Sequence, residues 1–387
     1  MTARVTGSAG GWPGVTLVTV AGRSAPALVY REVAGEVGPG DLVVLNTTAV
    51  DLGLGTGGYD FVLAKLDEPV ASGEPAAAET CQTASTPVTG PGQMMKWRYT
   101  PSQVACLSVE EPEHPAARAV GEFTGLAGIP VVAAELHSQV PIIAAGLRAG
   151  RVGRRRVVYV MTDAGALAAR FSRLIPAMKE AGLVDAVVTA GQAFGGDLEA
   201  VTLHSALAAA RAHLAADAII VAMGPGEAGT GTRLGFSGLA QGEALNAAWA
   251  LGGAPIAAAR LSWADPRERH RGLSHHTVTV LEVAALAPST LVLPELPDPL
   301  AAEVRERLGG LPPRHRVAVA PGGPAIEWLV RSGVRVTTMG RDPDADPYFF
   351  LAAGAAGVHA ARMAARAGPR PETGPGPGPS PGSGPSP

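Results

Sequence analysis

The stretch that decides the expected fold covers residues 217–238, with the sequence DAIIVAMGPGEAGTGTRLGFSG. It opens with a short apolar run rich in Ile and Val, which predicts a buried strand of a parallel sheet. A loop with six glycines follows between Gly224 and Gly238, and residues 241–251 have a helical pattern. A strand, a glycine-rich loop and a helix in this order present backbone N–H groups and a helix N-terminus to an anion. The stretch therefore predicts a ligand site in an α/β sheet.

The alternation of short apolar runs with amphipathic helices extends on both sides of this stretch, over residues 127–367. It predicts an α/β domain with a mostly parallel, doubly wound, Rossmann-like sheet that helices cover on both faces. The predicted strands cover residues 130–135, 157–161, 186–189, 218–223, 255–260, 290–293, 317–320 and 334–338. The predicted helices cover residues 166–181, 197–214, 241–251, 274–287, 300–308, 325–331 and 347–367.

Residues 14–110 have a different pattern, in which Gly, Pro and Asp separate short strand-like runs. The runs predict a small N-terminal β-rich barrel or sandwich domain. They cover residues 15–20, 27–31, 42–46 and 61–66, and a surface excursion is expected at 71–92. A second glycine-rich loop at 46–59 favours a wide turn, with a ligand-covering loop as the alternative. Lys96, Arg98 and Thr100 share one face of a strand that is either a half-buried edge or a basic strip facing an anion.

Composition limits the classes of function. The 387 residues carry a formal net charge of −3, so the chain has no bulk positive field for nucleic acid or an anionic membrane. Two cysteines cannot build a disulfide framework, and we expect a cytoplasmic location. Residues 1–13 contain no apolar signal region and are expected to be flexible, and the Pro/Gly-rich tail 368–387 is expected to be disordered. The sequence leaves an oligomer, a metal and any cofactor open.

Ionisable residues follow several predicted strands, at the edge where open parallel sheets bind their ligands. Glu135 and His137 are separated by two positions on a predicted strand, so we expect them on one face as an acid–base pair or two metal ligands. Asp163 precedes a predicted helix and is either its N-cap or a catalytic carboxylate. These three residues are candidate catalytic groups.

Two adjacent histidines, His275 and His276, complete the set of candidate catalytic residues. Ser274 is a suitable N-cap, which places both histidines in the first turn of a helix, where the helix dipole favours neutral imidazole. Adjacent helical side chains diverge by about 100°, so we expect only one of the two to face the site. Nearby, residues 267–271 either close over an anion or are solvated.

Small polar residues and glycines after three strands are the candidate ligand contacts. Gly195, Gly196 and Asp197 are expected to open a helix. The main glycine loop lacks the Gly-Lys-Ser/Thr of a Walker A motif and matches a dinucleotide fingerprint only weakly. The full set of candidate ligand contacts is Gly195, Gly196, Asp197, Gly224, Gly226, Gly229, Thr230, Gly231, Thr232, Arg233, Thr337 and Thr338.

Several long motifs carry a family resemblance. They are NTTAVDLGLGTGGYDFVLA, MMKWRYTP, AELHSQVP, VMTDAGAL, GQAFGGDLEAV, MGPGEAGTGTRLGFSG, RHRGLSHHT and VTTMGRDPDADPYFFLAAGAAG. With these motifs the chain resembles the bacterial family catalogued as domain of unknown function 3866, over roughly residues 14–367. The resemblance implies no activity and no catalytic residues.

Three functions remain open from the sequence. The first is an enzyme acting on a small anionic metabolite, such as a phosphorylated, nucleotide-like or carboxylate compound. The second is a small-molecule sensor that uses the same pocket without chemistry, and the third is a partner-recruiting interaction protein. Ionisable groups from several separate strands favour the enzyme, because a sensor needs hydrogen-bond donors and shape more than titratable pairs.

Overall fold

The computed structural model describes residues 1–51, 58–66, 92–98, 104–149 and 155–366 of the chain. Parts of the expected second glycine loop and of the surface excursion, together with Thr100 and the tail 368–387, lie outside these residues.

The N-terminal unit is a closed five-stranded barrel with strand order β1-β2-β3-β5-β4. Its elements are β1 (Thr2–Trp12), β2 (Val15–Val20), β3 (Ala27–Tyr30), α1 (Arg31–Ala34), β4 (Leu42–Asn46), α2 (Thr48–Asp51) and β5 (Asp60–Leu66). The expectation of a flexible segment 1–13 is wrong, because β1 pairs with β2 on one side and with β4 on the other. Glycine and serine in this strand hid its β pattern, while Ala3 and Val5 enter the barrel core.

Between the barrel and the main sheet, the structure describes residues 92–98 and 104–129. They contain the antiparallel pair β6 (Met94–Lys96) and β7 (Val104–Cys106), followed by α3 (Ala117–Gly121). Lys96 is buried, and its Nζ lies 3.1 Å from Glu199 Oε2 and 2.7 Å from the Ala193 carbonyl oxygen. Lys96 is therefore used inside the protein and does not form part of a ligand-facing basic strip.

The C-terminal unit is an eight-stranded sheet with order β11-β10-β9-β12-β8-β13-β16-β17, in which every neighbouring pair is parallel. The strands are β8 (Pro130–Ala133), β9 (Val157–Thr162), β10 (Ala186–Ala190), β11 (Leu198–Ala200), β12 (Ala218–Met223), β13 (Ala254–Ala258), β16 (Thr290–Pro294) and β17 (Arg316–Ala320). A two-stranded hairpin, β14 (Leu261–Ser262) with β15 (Gly272–Leu273), projects after β13. The predicted Rossmann-like α/β fold with a preceding β-rich unit is confirmed.

Helices cover both faces of the sheet because side chains on each strand alternate between two apolar cores. One core contains Val132 and Ile220, and the other contains Val131 and Ile219. On the first face lie α4 (Val140–Ala149), α5 (Leu174–Glu180), α10 (Gly323–Ser332) and α11 (Pro347–Arg366). On the second lie α6 (Leu203–Ala208), α7 (Ala240–Ala250), α8 (His275–Thr279), which continues as a π-helix over Val280–Ala284, and α9 (Asp298–Arg307).

Three sequence-based assignments in this unit are wrong. Residues 166–173 are not helical apart from a single 3₁₀ turn at Ala169–Phe171, and α5 starts only at Leu174. Residues 198–200 form strand β11 where a helix was predicted. The predicted strand 334–338 does not pair with the sheet, which ends at β17.

None of the helices in the described residues is long and apolar enough to cross a membrane. The cytoplasmic location stays a prediction.

Candidate functional site

The site lies at the carboxyl ends of β12, β8 and β13, which are neighbours in the middle of the sheet. Val132 of β8 aligns with Ile220 of β12 on one side and with Ile256 of β13 on the other, so the three strands end side by side. Glu135 lies just after β8, Glu227 lies in the loop after β12, and Arg260 lies just after β13.

Arg260 joins the two carboxylates. Its Nη1 donates to Glu135 Oε1 at 2.6 Å and to Glu227 Oε2 at 2.9 Å. The side chain of Glu135 is 0% exposed and that of Arg260 is 5% exposed, so both charges are sealed from bulk water. Buried charges require partners of this kind, since each loses its hydration on folding.

His276 forms the fourth member of this cluster. Its Nδ1 lies 2.6 Å from Glu135 Oε1 and 3.2 Å from Glu227 Oε1. Phe236 stacks on the imidazole with ring centroids 3.7 Å apart. As expected from the sequence, Ser274 caps α8, because its Oγ accepts a hydrogen bond from the His276 N–H. We call Glu135, Glu227, Arg260 and His276 the charged cluster.

The two carboxyl groups of the charged cluster have different proton affinities. Burial opposes ionisation of Glu135, but the Arg260 charge and the His276 hydrogen bond outweigh it and lower the pKa of Glu135 to about 2. Burial and the neighbouring Glu135 charge raise the pKa of Glu227 to about 6. Burial also opposes protonation of His276, yet its hydrogen bonds to both carboxylates raise the pKa of that imidazole. Carboxyl pairs with separated pKa values are typical of acid–base sites.

Both adjacent histidines belong to this region, together with a third. The ring centroids of His275 and His276 lie 4.3 Å apart, and His270 lies 4.7 Å from His276 and 5.2 Å from His275. His276 is the member of the pair that contacts Glu135 and Glu227, and His275 lies beside it. Burial, followed by the nearby cationic groups, lowers the pKa of His270 to about 3 and that of His275 to about 4.

Three buried acceptors in and beside the charged cluster have no hydrogen-bond partner among the described residues, namely Glu135 Oε2, Glu227 Oε1 and Gln241 Oε1. Of these, Glu227 Oε1 lies 3.2 Å from His276 Nδ1. The amide of Gln241 is held in place, because its Nε2 donates to the carbonyl oxygens of Ala133 at 2.8 Å and Ala258 at 3.0 Å. Glu135 and Gln241 both line a small cavity of about 10 Å³. Unpaired buried acceptors are costly, which indicates that a donor from a ligand or water completes them.

A larger cavity of about 470 Å³ adjoins this small one and shares Thr162, Ser237 and Ala240 with it. It is bordered by the first residue of α7 and by two carboxylates, Asp163 and Glu243. A pocket of this size accommodates a small metabolite.

Gly238 shapes the boundary between the small cavity and the charged cluster. A Cβ atom at this position would lie 2.5 Å from Glu135 Cγ and 2.9 Å from Glu227 Oε1. Real Cβ atoms essentially never approach so closely, so a side chain here would displace the carboxylates.

The expected Glu135–His137 pair does not form. β8 ends at Ala133 and His137 begins a 3₁₀ turn, so the two side chains no longer share a strand face. His137 instead hydrogen bonds to Tyr159 Oη at 3.0 Å and to Ser172 Oγ at 2.6 Å. Both nitrogens are satisfied inside the core, so the geometry provides no contact between His137 and the charged cluster.

Asp163 does not cap a helix, since none starts beside it. It is exposed, and its Oδ2 accepts from the Gln192 N–H at 2.8 Å, which joins the loops after β9 and β10. It lines the 470 Å³ cavity. Its catalytic role stays a prediction.

Gly195, Gly196 and Asp197 do not open a helix, because strand β11 follows them. Asp197 Oδ2 accepts from the Val187 N–H near the start of β10, and Lys179 pairs with its other oxygen. These residues therefore lie away from the carboxyl edge that carries the charged cluster, although they line a separate cavity of about 170 Å³.

The main glycine loop contributes to the site chiefly through Glu227, Gly229 and Ser237. A Cβ at Gly229 would lie 3.7 Å from His276 Cε1, and Ser237 lines both cavities. Other loop residues bond within the protein. Thr230 Oγ1 lies 2.8 Å from Thr232 Oγ1, and Arg233 pairs with Glu282.

The remaining predicted contacts are Gly224, Gly226, Gly231, Thr337 and Thr338. Gly224 allows close packing, since a Cβ there would lie 2.4 Å from the Ala166 carbonyl oxygen. Gly226 adopts a φ of 88°. Thr338 is buried and exchanges backbone hydrogen bonds with Arg341. The structure does not place these residues within the charged cluster, and their ligand-binding role stays a prediction.

Sequence reasoning missed Arg260 and Gln241 and left Glu227 out of the candidate site residues. It considered His270 only as part of the loop 267–271, which either closes over an anion or is solvated. Arg260 had a usable signal, since an arginine at the end of an apolar strand needs a buried anionic partner. Gln241 had none, because a glutamine at the start of a predicted helix is usually exposed.

Fold and site together define a class of protein: a doubly wound parallel α/β protein with an N-terminal β-barrel and a buried carboxylate–arginine–histidine cluster at its carboxyl edge. The chain belongs to the family described as protein of unknown function (DUF3866), whose model matches residues 26–357. No curated protein and no solved structure matches the chain.

Proposed function

We propose that this protein is an enzyme that performs acid–base chemistry on a small anionic metabolite at the carboxyl ends of β12, β8 and β13. The observation that carries this proposal is geometric. One oxygen of the fully buried carboxylate Glu135 has no hydrogen-bond partner among the described residues, and Glu135 lines a small cavity that adjoins a larger one. Buried carboxylate oxygens are usually hydrogen bonded, so this oxygen favours a donor supplied by a substrate.

The residues around the larger cavity favour a metabolite that carries both an anionic group and hydrogen-bond donors. Its border includes the start of α7, an 11-residue helix whose positive dipole end favours a phosphate or carboxylate group. Asp163 and Glu243 on the same cavity favour hydroxyl or amino groups elsewhere on the molecule. The proposed substrate is thus an anionic compound that also carries hydrogen-bond donors.

Three members of the charged cluster, together with Gln241, have a role in this proposal. Glu135 Oε2 accepts a hydrogen bond from a substrate donor, and Gln241 Oε1 accepts a second. Glu227 exchanges a proton with the substrate. Arg260 holds both carboxylates in position and keeps Glu135 ionised, because it donates to each of them.

The experiment is a thermal-shift screen of nucleotides, sugar phosphates and hydroxy- or amino-carboxylates, followed by NMR detection of turnover for each compound that binds. For Glu227→Gln we expect turnover to fall by about 10²- to 10⁴-fold while ligand affinity changes little. The matched control is Glu180→Gln, an exposed glutamate in α5, which should keep full turnover.

Two results would contradict the proposed enzymatic function. If compounds bind tightly and the wild-type protein never converts one, the pocket is a sensor site. If Glu227→Gln and Glu180→Gln turn over substrate equally, the charged cluster has no part in the chemistry.

A further inference from the structure

Three of the nine histidines lie together beside the charged cluster. One ring nitrogen from each of His270, His275 and His276 lies within 4.8 Å of the others. His270 ends a 3₁₀ turn, and the other two open α8. The β14–β15 hairpin closes the base of the loop that carries His270 and fixes it against the segment before α8. His270, His275 and His276 therefore form a compact cluster, which we call the three-histidine group.

The hydrogen bonds of this group leave one nitrogen of each ring for a ligand. His270 Nδ1 is taken by Ser274 Oγ at 2.9 Å, and His276 Nδ1 is taken by Glu135 Oε1 at 2.6 Å. The Nε2 atoms of His275 and His276 are buried and have no hydrogen-bond partner among the described residues. His276 is 2% exposed, so bulk water does not satisfy its free nitrogen.

A second set of possible metal ligands, Glu135, Glu227 and His276, overlaps the first. Arg260 already donates to both carboxylates of that set, at 2.6 and 2.9 Å. A divalent cation there would be repelled by the guanidinium that occupies the carboxylates. Arg260 Nη1 also lies 3.3 Å from His276 Nδ1, on the side of the ring that faces the carboxylates. The Nε2 atoms of His275 and His276 have no hydrogen-bond partner among the described residues, so these unpaired nitrogens favour the three-histidine group.

We propose that His270, His275 and His276 bind one divalent transition-metal ion through their Nε2 atoms, with Zn²⁺ as the first candidate. Imidazole nitrogen is a preferred ligand of zinc, and three protein ligands leave a fourth position for water or substrate. Nitrogens on a tetrahedral zinc lie about 3.3 Å apart for a Zn–N distance of about 2.0 Å. Since the three ring nitrogens lie within 4.8 Å of one another, they need to approach by no more than about 1.5 Å to reach this spacing.

The partners of the other ring nitrogens match those found around metal-bound histidines. Such histidines commonly donate their second N–H to a carboxylate or another acceptor, which fixes the ring and raises its basicity. Here Glu135 serves His276 and Ser274 serves His270. Glu135 is then a positioning residue for the metal as well as a member of the charged cluster. This inference goes beyond the proposed function and does not depend on it.

The test is a calorimetric titration of Zn²⁺ into untagged, full-length, chelator-treated protein without any substrate, with bound metal counted by mass spectrometry. We expect about one zinc ion per chain. His275→Ala should weaken binding by at least about 100-fold, and Glu135→Gln by about 10- to 100-fold. The matched control is His204→Ala, an exposed histidine on α6, which should bind zinc as the wild type does.

His270→Gln is a second variant of the three-histidine group, in case His275→Ala perturbs folding. Circular dichroism of every variant shows whether it is folded. Absence of zinc binding to the wild-type protein would overturn the inference, and so would equal binding by wild type and both folded histidine variants. Loss of zinc in Glu227→Gln with retention in His275→Ala would move the metal to the carboxylates and also overturn it. Because no substrate is present, failure of the proposed acid–base chemistry would leave this result unchanged.

Discussion

At the scale of single residues, the protein stabilises buried ionisable groups in two different ways: some stay charged in an ion pair, and others stay uncharged. Arg260 and Glu135 are kept charged by direct pairing at 2.6 Å. His137 is kept neutral by burial, since its partners are the hydroxyl groups of Tyr159 and Ser172 and no carboxylate among the described residues contacts it. Both groups make the protein less stable in acid, but in different pH ranges, because the pKa of Glu135 is lowered from 4.5 to about 2 and that of His137 from 6.5 to about 4.

His137 should make the protein less stable in acid. Burial lowers its pKa from 6.5 to about 4. Its contribution to stability is therefore complete above pH 6.5 and is lost as the pH falls from 6.5 towards 4, because only the unfolded chain binds the proton in that range. We expect a loss of about 3 kcal/mol from this residue by pH 4.

The measurement is the free energy of urea unfolding at pH 7 and pH 4. His137→Gln should be less stable than the wild type at pH 7, yet it should lose about 3 kcal/mol less on acidification. His204→Gln, at an exposed helix position, should show the wild-type loss. An equal loss in wild type and His137→Gln would show that this imidazole is not the acid-sensitive group.

At the scale of secondary structure, the pattern of apolar residues predicted the strands more accurately than the helices. β12 was predicted with its observed bounds because all six of its residues are apolar and buried between two covered faces. Residues 198–200 contain good helix formers, yet they pair with Val188–Ala190, which would otherwise be an open strand edge. Residues 166–173 are alanine-rich, but their backbone bonds to Phe194 and their side chains meet the barrel. Local propensity could not predict these tertiary contacts.

The contact between α4 and α11 depends on glycine. A Cβ at Gly357 would lie 2.2 Å from the Ile143 carbonyl oxygen, and one at Gly146 would lie 2.7 Å from the Gly354 carbonyl oxygen. Both obstacles are backbone atoms, so they move only if the helices separate. We expect Gly357→Ala to lower the free energy of unfolding by about 1–3 kcal/mol, despite the better helix propensity of alanine.

The matched control for this helix contact is Gly323→Ala at the start of α10, where a Cβ would meet no atom within 4 Å. This variant should be as stable as the wild type or slightly more stable, because alanine reduces the conformational freedom of the unfolded chain. Urea denaturation of both variants compares them directly. If Gly357→Ala were as stable as Gly323→Ala, the close approach of α4 and α11 would be wrong.

At the scale of the whole molecule, the sequence predicted which edge of the sheet carries the site but not which side chains meet there. The rule that ligands bind beyond the carboxyl ends of parallel strands pointed to Glu135 and His276, and the structure brings these two side chains into contact. It could not find Arg260 as their partner, because that contact depends on β8 and β13 being neighbours. Strand order arises from packing between distant segments, and one sequence alone does not reveal it.

The barrel and the α/β unit are joined by an aromatic contact centred on Trp12. Its indole N–H donates to the Arg170 carbonyl oxygen at 2.5 Å, and the Arg173 guanidinium lies over its ring, 4.4 Å from the centroid. Phe171 packs in the same contact, 6.4 Å from Phe61 and 6.5 Å from Tyr59 between ring centroids. Removal of this apolar and hydrogen-bonded contact should weaken the coupling between the two units.

Trp12→Ala should therefore separate the unfolding of the barrel from that of the sheet. In the wild type we expect one urea transition, seen alike by far-ultraviolet circular dichroism and by tryptophan fluorescence. In Trp12→Ala the barrel should lose about 2–4 kcal/mol and unfold first, while the remaining tryptophans of the α/β unit report a later transition. Trp249→Ala is the control, because this side chain is 51% exposed on α7 and its loss should leave a single transition. Coincident transitions in Trp12→Ala, shifted no further than in Trp249→Ala, would mean that Trp12 does not couple the barrel to the sheet.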